Sequence, residues 1–485
     1  MSAPAVSRED QQRAALRLVA DRAGIGPGEW WRRYFAIGGT AGQAELEDFA
    51  LRNGPLPPAE RDLLAQAVNE LLEARAVVRS VPYSGRVHDP RPSEGPLAAM
   101  LALLQGMHVA PPDRIAAVAD DAGALLGVGI DVYLVDYDHV ELRPVRGGRW
   151  RGVDDSLPGR AFREFEIRST RTDGDARLWV PIVDGAERLG VLEVVPGAIA
   201  DLDDTLLHSQ LAWLATLLGH LVTTTTKYGD ALDVVRRRRP RSASAELVWQ
   251  LLPPLTAGTE KVVVTGIVAP SESVGGDAFD YALSERRASL AIFDANGTSL
   301  DSGTVTAMAL SAYRSTRRNG GSLFDQVMAV DDVIGEELAR TGRTVSAVLA
   351  ELDLDHGRLR WVSAGNPAPL VLRRGKVVKV LAGGQRPAFG LPTRDVRVAE
   401  EVLEPDDWLV LHTDGITGAR DATGGLFGLD RLEDFLAREA ATEHPPPELV
   451  RRLVRKVLEH QRGVLEDDAT VLVARWGDYR RWLTL

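Results

Sequence analysis

Residues 273–297 read SVGGDAFDYALSERRASLAIFDANG, and this stretch restricts the fold more tightly than any other. Phe279, Tyr281 and Leu283 alternate along one strand, and Ala288 to Phe293 form a second apolar run. A turn centred on Glu285 and Arg286 pairs Ser284 with Arg287. Counting outward, the same register sets Asp277 opposite Asp294. Carboxylates facing each other across a strand pair lie about 5 Å apart and destabilise the sheet unless a cation sits between them. The turn carries no Asn-Gly signal, so this register rests on alternation alone.

Other aspartates stand at strand ends in the same way. Asp414 closes the apolar run WLVLHT and precedes Gly415, while Asp467 and Asp468 open ATVLVARW. Each alone has an ordinary explanation as a turn or strand-start residue. Four such sites in one domain, with no arginine beside them, point to a bound cation. Carboxylates without sulfur or histidine donors suit hard divalent ions such as Mg²⁺ or Mn²⁺. Two such ions about 3.5–4 Å apart acidify a bridging water and clamp an in-line phosphoryl displacement.

Composition narrows the alternatives. A chain of 485 residues holds two to four domains. The formal net charge of −12 argues against coating nucleic acid. The absence of cysteine excludes disulfides, thiolate metal sites and cysteine nucleophiles. MSAPAVSREDQQR lacks the basic-then-apolar plan of a signal peptide. No run approaches the 18 or so apolar residues of a membrane span, and the most apolar one, LLHSQLAWLATLLGHL, carries His208, Gln210 and His220. The expectation is a soluble cytoplasmic protein with neither nucleic-acid nor membrane partner.

Along the chain, residues 1–95 read as a helical N-terminal region, and VPYSGRVHDPRPSEGP (81–96) as a linker. Residues 97–202 place two helical stretches before DVYLVDYDHVELRPV and ARLWVPIVDGAERLGVLEVV, the latter a strand pair turning at Asp184-Gly185. Helices enclosing an antiparallel sheet that ends in this hairpin resemble a GAF sensor domain, an α/β module that serves some proteins as a small-ligand receptor and others as a packing or dimerisation module. Residues 203–250 follow as a connecting helix and linker. Leu207, Leu211, Leu214, Leu218 and Leu221 have heptad spacing, which fits either a parallel dimer seam or a helix lying on its own sheet. Arg236 to Arg239, then Pro240, end that helix; the run fits a solvated linker or an anion-contacting patch. From 251 to 478 strand blocks enclose a helix pair, giving an α+β fold with a two-sheet β-sandwich flanked by helices.

Taken together, GGDAFD (275–280), IFDANG (292–297), AGNPAP (364–369), LHTDGITGARD (411–421) and DDAT (467–470) resemble the PPM metal-dependent protein phosphatases, specifically the stage II sporulation protein E branch. The resemblance implies that Asp277, Asp294 and the Ala295 carbonyl, with Asp414 and Asp467, hold two divalent cations, Mn²⁺ or Mg²⁺. It makes Asp468 the lesser member of its doublet, and leaves Asp280 either behind the site or solvated. His412 fits a packed histidine better than a catalytic acid. The implied activity is hydrolysis of phosphoserine or phosphothreonine without a covalent intermediate. The implied substrate is a phosphorylated anti-sigma factor antagonist in a partner-switching pathway, under a GAF-like sensor and with a homodimer formed through that sensor and its connecting helix. The chain also departs from the pattern. Thr298-Ser299 replaces the usual His-Gly, Phe293 a Gly, Ala278 an aromatic and Asn366 a His. The altered loop after Asp294 motivates a second reading, a catalytically weak or inactive PPM-fold regulator that binds a phosphoprotein partner.

Overall fold

The computed structural model describes residues 8–73, 95–172, 175–269, 275–297, 300–393, 396–442 and 444–478. Most of the expected linker at 81–96, and Thr298-Ser299, lie outside the described residues. The chain divides into two units, Met1–Ala98 and Ala99–Leu485.

The first unit is helical. Helices α1 (Arg8–Ala23), α2 (Pro27–Ala36), α3 (Gln43–Arg52) and α4 (Pro58–Glu73) surround Leu16, Trp30, Tyr34, Phe49 and Leu64. The Tyr34 hydroxyl reaches Glu60 and accepts the Thr40 and Ala41 amides, tying the α2–α3 loop to α4.

The second unit begins with a six-stranded antiparallel sheet. Its strands are β1 (Gly129–Val135), β2 (Glu141–Pro144), β3 (Arg151–Gly152), β4 (Arg168–Thr172), β5 (Asp175–Asp184) and β6 (Glu187–Val195), in the order β3-β2-β1-β6-β5-β4. Period-two alternation sends Ile130, Val132 and Leu134 to one face and Tyr133 and Val135 to the other. The first face is covered by α5 (Pro96–Val109), α6 (Ile115–Ala124) and α8 (Thr205–Thr225), and the second by α7 (Leu157–Glu164).

The expected long connecting helix is two helices. α8 ends at Thr225, after a run of threonines that are weak helix formers, and α9 (Ala231–Arg236) starts beyond Gly229. Leu207, Leu211, Leu214 and Leu218 are buried against their own sheet, with Leu221 packed beside them. The heptad seam is therefore filled within the chain, and the helix offers no leucine stripe to a second copy. The arginine run is only partly solvated: Arg238 and Arg239 are exposed, but the first two are tied down. Arg236 is buried and donates to the Val135 carbonyl at 3.0 Å, and Arg237 pairs with Asp233 and Glu246.

After α10 (Ala243–Leu251) comes the sandwich. One sheet contains β9 (Asp277–Leu283), β10 (Arg287–Ala295), β11 (Val345–Asp353), β12 (Arg358–Ala364), β15 (Gln385–Arg386) and β16 (Ala399–Val402). It runs β15-β12-β11-β10-β9, with β16 also pairing β12. The other contains β7 (Thr256–Gly258), β8 (Val262–Ala269), β13 (Leu370–Arg373), β14 (Lys376–Val380), β17 (Trp408–His412) and β18 (Ala469–Trp476), in the order β14-β13-β17-β18-β8-β7. Between the sheets lie Val264, Phe279, Leu290, Ile292, Val348, Leu409 and Leu472. The outer face of the first sheet packs Phe293 and Leu349 against α11 (Leu300–Arg318) and α12 (Leu323–Thr341). The outer face of the second packs Val410, Val471 and Val473 against α14 (Gly428–Ala441) and α15 (Pro446–His460), with the one-turn α13 (Asp414–Thr417) between strand and helix. Both faces of each sheet are covered, which is why its central strands read as continuous apolar runs.

Candidate functional site

The hairpin β9–β10 adopts the register that the alternation predicts. The Ser284 amide donates to the Arg287 carbonyl at 2.9 Å, Leu283 pairs with Ala288, and the ladder ends with Asp277 opposite Asp294. On its other side Asp294 lies across from Ser346 of β11. In the second sheet β17 and β18 are neighbours, with His412 paired to Val471 and the Thr413 amide bonded to the Thr470 carbonyl at 3.0 Å. Asp414 leaves the end of β17 and Asp467 precedes the start of β18, so this sheet also carries two carboxylates at one end.

Hydrogen bonds lace the two sheet ends together. The Thr413 hydroxyl donates to Asp277 Oδ2 at 2.9 Å and accepts the Thr470 amide at 3.1 Å. Asp468 Oδ2 accepts the Gly276 amide at 2.9 Å and the Asp277 amide at 3.4 Å. Asp277 and Asp468 are buried, Asp294 is half-buried, and Asp414 and Asp467 are exposed. The backbones come close enough to need glycine: a Cβ on Gly415 would stand 1.9 Å from the Asp468 carbonyl oxygen, and one on Gly276 2.8 Å from that of Ala295.

The electrostatics follow from this crowding. Burial pushes the Asp277 carboxyl well above its ordinary value, and the charges of Asp294 and Asp468 push it further. Asp294 rises to about 7, through burial and then the charges of Asp414 and Asp467. Asp467, exposed at its surface but partly desolvated by the neighbouring protein, is raised by that desolvation and by Asp414. The two sheet ends therefore sense each other's charge. Among the described residues, however, no three His, Asp or Glu side chains close on a common point as they stand. The carboxylates meet as a facing pair on one sheet and a neighbouring pair on the other.

Other candidates separate from the cluster. Asp280, three residues from Asp277, is buried and bound by Arg314 at 2.6 Å and Arg317 at 2.8 Å, which fasten α11 to β9. It is neither solvated nor part of the cluster. His412 is buried, with Nδ1 3.1 Å from the Thr413 carbonyl and its basicity lowered by burial. Asn366 donates to the His412 carbonyl at 2.8 Å and so braces the end of β17. Thr413 and Thr470 escaped the sequence reading; their only signal was a threonine directly before Asp414 and another two residues after Asp468.

Comparison with known proteins agrees on the C-terminal half. Residues 284–477 match the family model described as stage II sporulation protein E. Protein IcfG of Synechocystis is 21% identical, covering 44% of this chain and 37% of that protein. The stage II sporulation protein E of Priestia megaterium is 22% identical, covering 44% and 36%. The chain thus spans little more than a third of these curated relatives. Among solved structures, the SiaA PP2C domain of Pseudomonas aeruginosa is 25% identical over 44% of this chain and 85% of its own, with a TM-score of 0.40. The PP2C phosphatase domain of SpoIIE from Bacillus subtilis, with a fragment of its regulatory domain, is 21% identical over 46% and 66%, with a TM-score of 0.38. The motif order read from the sequence and the family match agree: the C-terminal sandwich is similar to the stage II sporulation protein E domain over residues 284–477.

Proposed function

We propose that the sandwich is a metal-dependent phosphatase acting on phosphoserine or phosphothreonine of a partner protein. One observation carries this reading. Asp277 and Asp294 face each other, Asp294 senses the charge of Asp414 and Asp467 and Asp277 that of Asp468 across the sheet junction, and neither has a cationic side chain among the groups that shift it. The donor set suits hard divalent cations, Mn²⁺ or Mg²⁺, since every donor is an oxygen. Asp277, Asp294 and the Ala295 carbonyl would hold them from one sheet, and Asp414 and Asp467 from the other. Bound there, such ions supply an acidified water and a clamp on the phosphoryl oxygens. The chain's own groups do the positioning: Thr413 fixes one oxygen of Asp277, Asp468 fixes the Gly275-Gly276 turn before it, and Gly415 lets Asp414 approach β18.

The layer upstream, residues 97–202, fits a GAF-like sensor. A phosphorylated anti-sigma factor antagonist as substrate rests on the family resemblance alone. A second reading, an inactive regulator with the same fold, draws on the carboxylates' failure to close on one point and on the altered loop after Asp294. Hydrolysis of p-nitrophenyl phosphate with Mn²⁺ separates the two. Asp294→Asn and Asp414→Asn each lose more than the ~10–100-fold that changes behind a metal ligand cost. Two fully active variants would overturn the assignment, and no Mn²⁺ binding at millimolar concentration would favour the inactive regulator.

A further inference from the structure

Between the first sheet of the second unit and the sandwich lies a cleft of about 1060 Å³. One wall carries Tyr137 and Trp150, the rim carries Arg238 to Arg241, and the opposite wall carries Arg451 and Arg455 of α15. Asp154 accounts for the charge of Arg451 and Arg455, and Arg238 lies 3.5 Å from Asp138 with Asp136 and Glu141 slightly further off. Two arginines of the rim make no direct ion pair among the described residues, although Asp233 and Glu246 bear on the charge of Arg241. Arg239 is exposed and pairs with no carboxylate among the described residues. Arg241 lies over the Trp249 ring at 3.7 Å and the Tyr137 ring at 4.7 Å, and its buried Nη1 has no hydrogen-bond partner. The two rings hold the Arg241 guanidinium in place at the cleft wall, so its planar fork is pre-organised.

The aromatic lining adds the second half of the recognition. Trp150 is 54% exposed, a large indole standing in an open cleft, with Arg143 stacked 4.0 Å from its ring. Guanidinium forks match phosphate oxygens, and an indole face takes a flat ring. Clefts of this size at the junction of two layers are ordinary ligand sites. We propose that this cleft binds a small organic phosphate bearing an aromatic ring, its anionic group on Arg239 and Arg241 and its ring on Trp150. The site is independent of the phosphatase reading, although Ala269 in its lining pairs across β8–β18 with Ala469, next to Asp468.

The test is calorimetric titration of the full chain with phenylphosphonate, which cannot be hydrolysed, in a chelator so that no metal site competes. Methylphosphonate is the ringless control. The expected result is binding of phenylphosphonate at least ~10-fold tighter than methylphosphonate. Arg239→Ala and Trp150→Ala, both at exposed positions where folding is little affected, each weaken it ~5-fold or more, and Arg241→Lys does the same because a point charge replaces a fork. No binding of phenylphosphonate at millimolar concentration, equal binding of the two phosphonates, or binding indifferent to Arg239→Ala and Trp150→Ala would each overturn the proposal.

Discussion

Asp277 and Asp280 sit three residues apart on one strand, both buried, and the fold treats them in opposite ways. Asp280 receives two arginines from α11, so its charge is matched and it serves as a rivet between helix and sheet. Asp277 receives the Thr413 hydroxyl and otherwise faces another carboxylate, with no guanidinium among the groups that shift it. The seam between the first sheet and the sandwich follows the Asp280 pattern. Glu448 is buried, and although burial alone would raise it, Arg451 and Arg452 hold it at about 2, while Arg451 also clasps Asp154 at 2.7 Å. The buried acids Asp280, Asp407 and Glu448 each have a guanidinium partner. Withholding such partners from one sheet junction is the feature on which the proposed cation site rests.

The contrast predicts opposite signs from similar mutations. Asp280→Ala strands Arg314 and Arg317 in a buried setting and costs about 3–5 kcal/mol, read from chemical denaturation. Asp277→Asn removes a crowded charge and, without metal, leaves stability unchanged or raised. Mn²⁺ then raises the melting temperature of the parent chain and of Asp280→Asn but not of Asp277→Asn, because only a group that binds the folded state's ligand shifts with its concentration. Equal losses from Asp280→Asn and Asp277→Asn would erase the distinction between rivet and site.

Glu187 tests a middle case, a buried acid only half compensated. It accepts the Thr256 amide at the seam, and burial raises it from 4.5 to about 7 in spite of the nearby Arg236 charge. A folded-state value above the unfolded one means the folded chain holds the proton more tightly. The contribution is full below about pH 4.5 and is lost as pH rises through 7. Glu187→Gln removes this dependence. Its melting temperature should rise relative to the parent between pH 5 and pH 8, by an amount worth up to about 3 kcal/mol. A pH-independent difference would place the glutamate's value near its ordinary one.

How far the sequence was legible depends on the range of the interactions. The Asp277–Asp294 pairing could be counted out because a hairpin is local and its period is two. The apolar strands of the sandwich announced themselves because both faces of each sheet are buried. The leucines of α8 did not disclose their partner, since a 4-3 spacing serves a helix on its own sheet as well as a coiled coil. Asp280 was misplaced because Arg314 and Arg317 lie more than thirty residues away, although their i, i+3 spacing puts them on one face of α11. Thr413 was missed for the same reason: its partner Asp277 is 136 positions off.

Thr413 supplies the smallest and sharpest of these tests. Its hydroxyl is both donor to Asp277 and acceptor for the Thr470 amide, so it joins the two sheets at the point where their carboxylates converge. Thr413→Val keeps the shape and removes both bonds, costing about 1–3 kcal/mol for the amide left buried without an acceptor. If Asp277 is a metal ligand, the same change also frees its carboxylate to rotate and weakens Mn²⁺ binding ~10–100-fold, the usual scale for a group that orients a ligand. Thr413→Ser retains the hydroxyl and should recover the metal affinity before it recovers the full packing of the strand. A valine variant that loses stability but keeps its Mn²⁺ affinity would make Thr413 a strut between sheets and nothing more, and would move Asp277 to the side of Asp280.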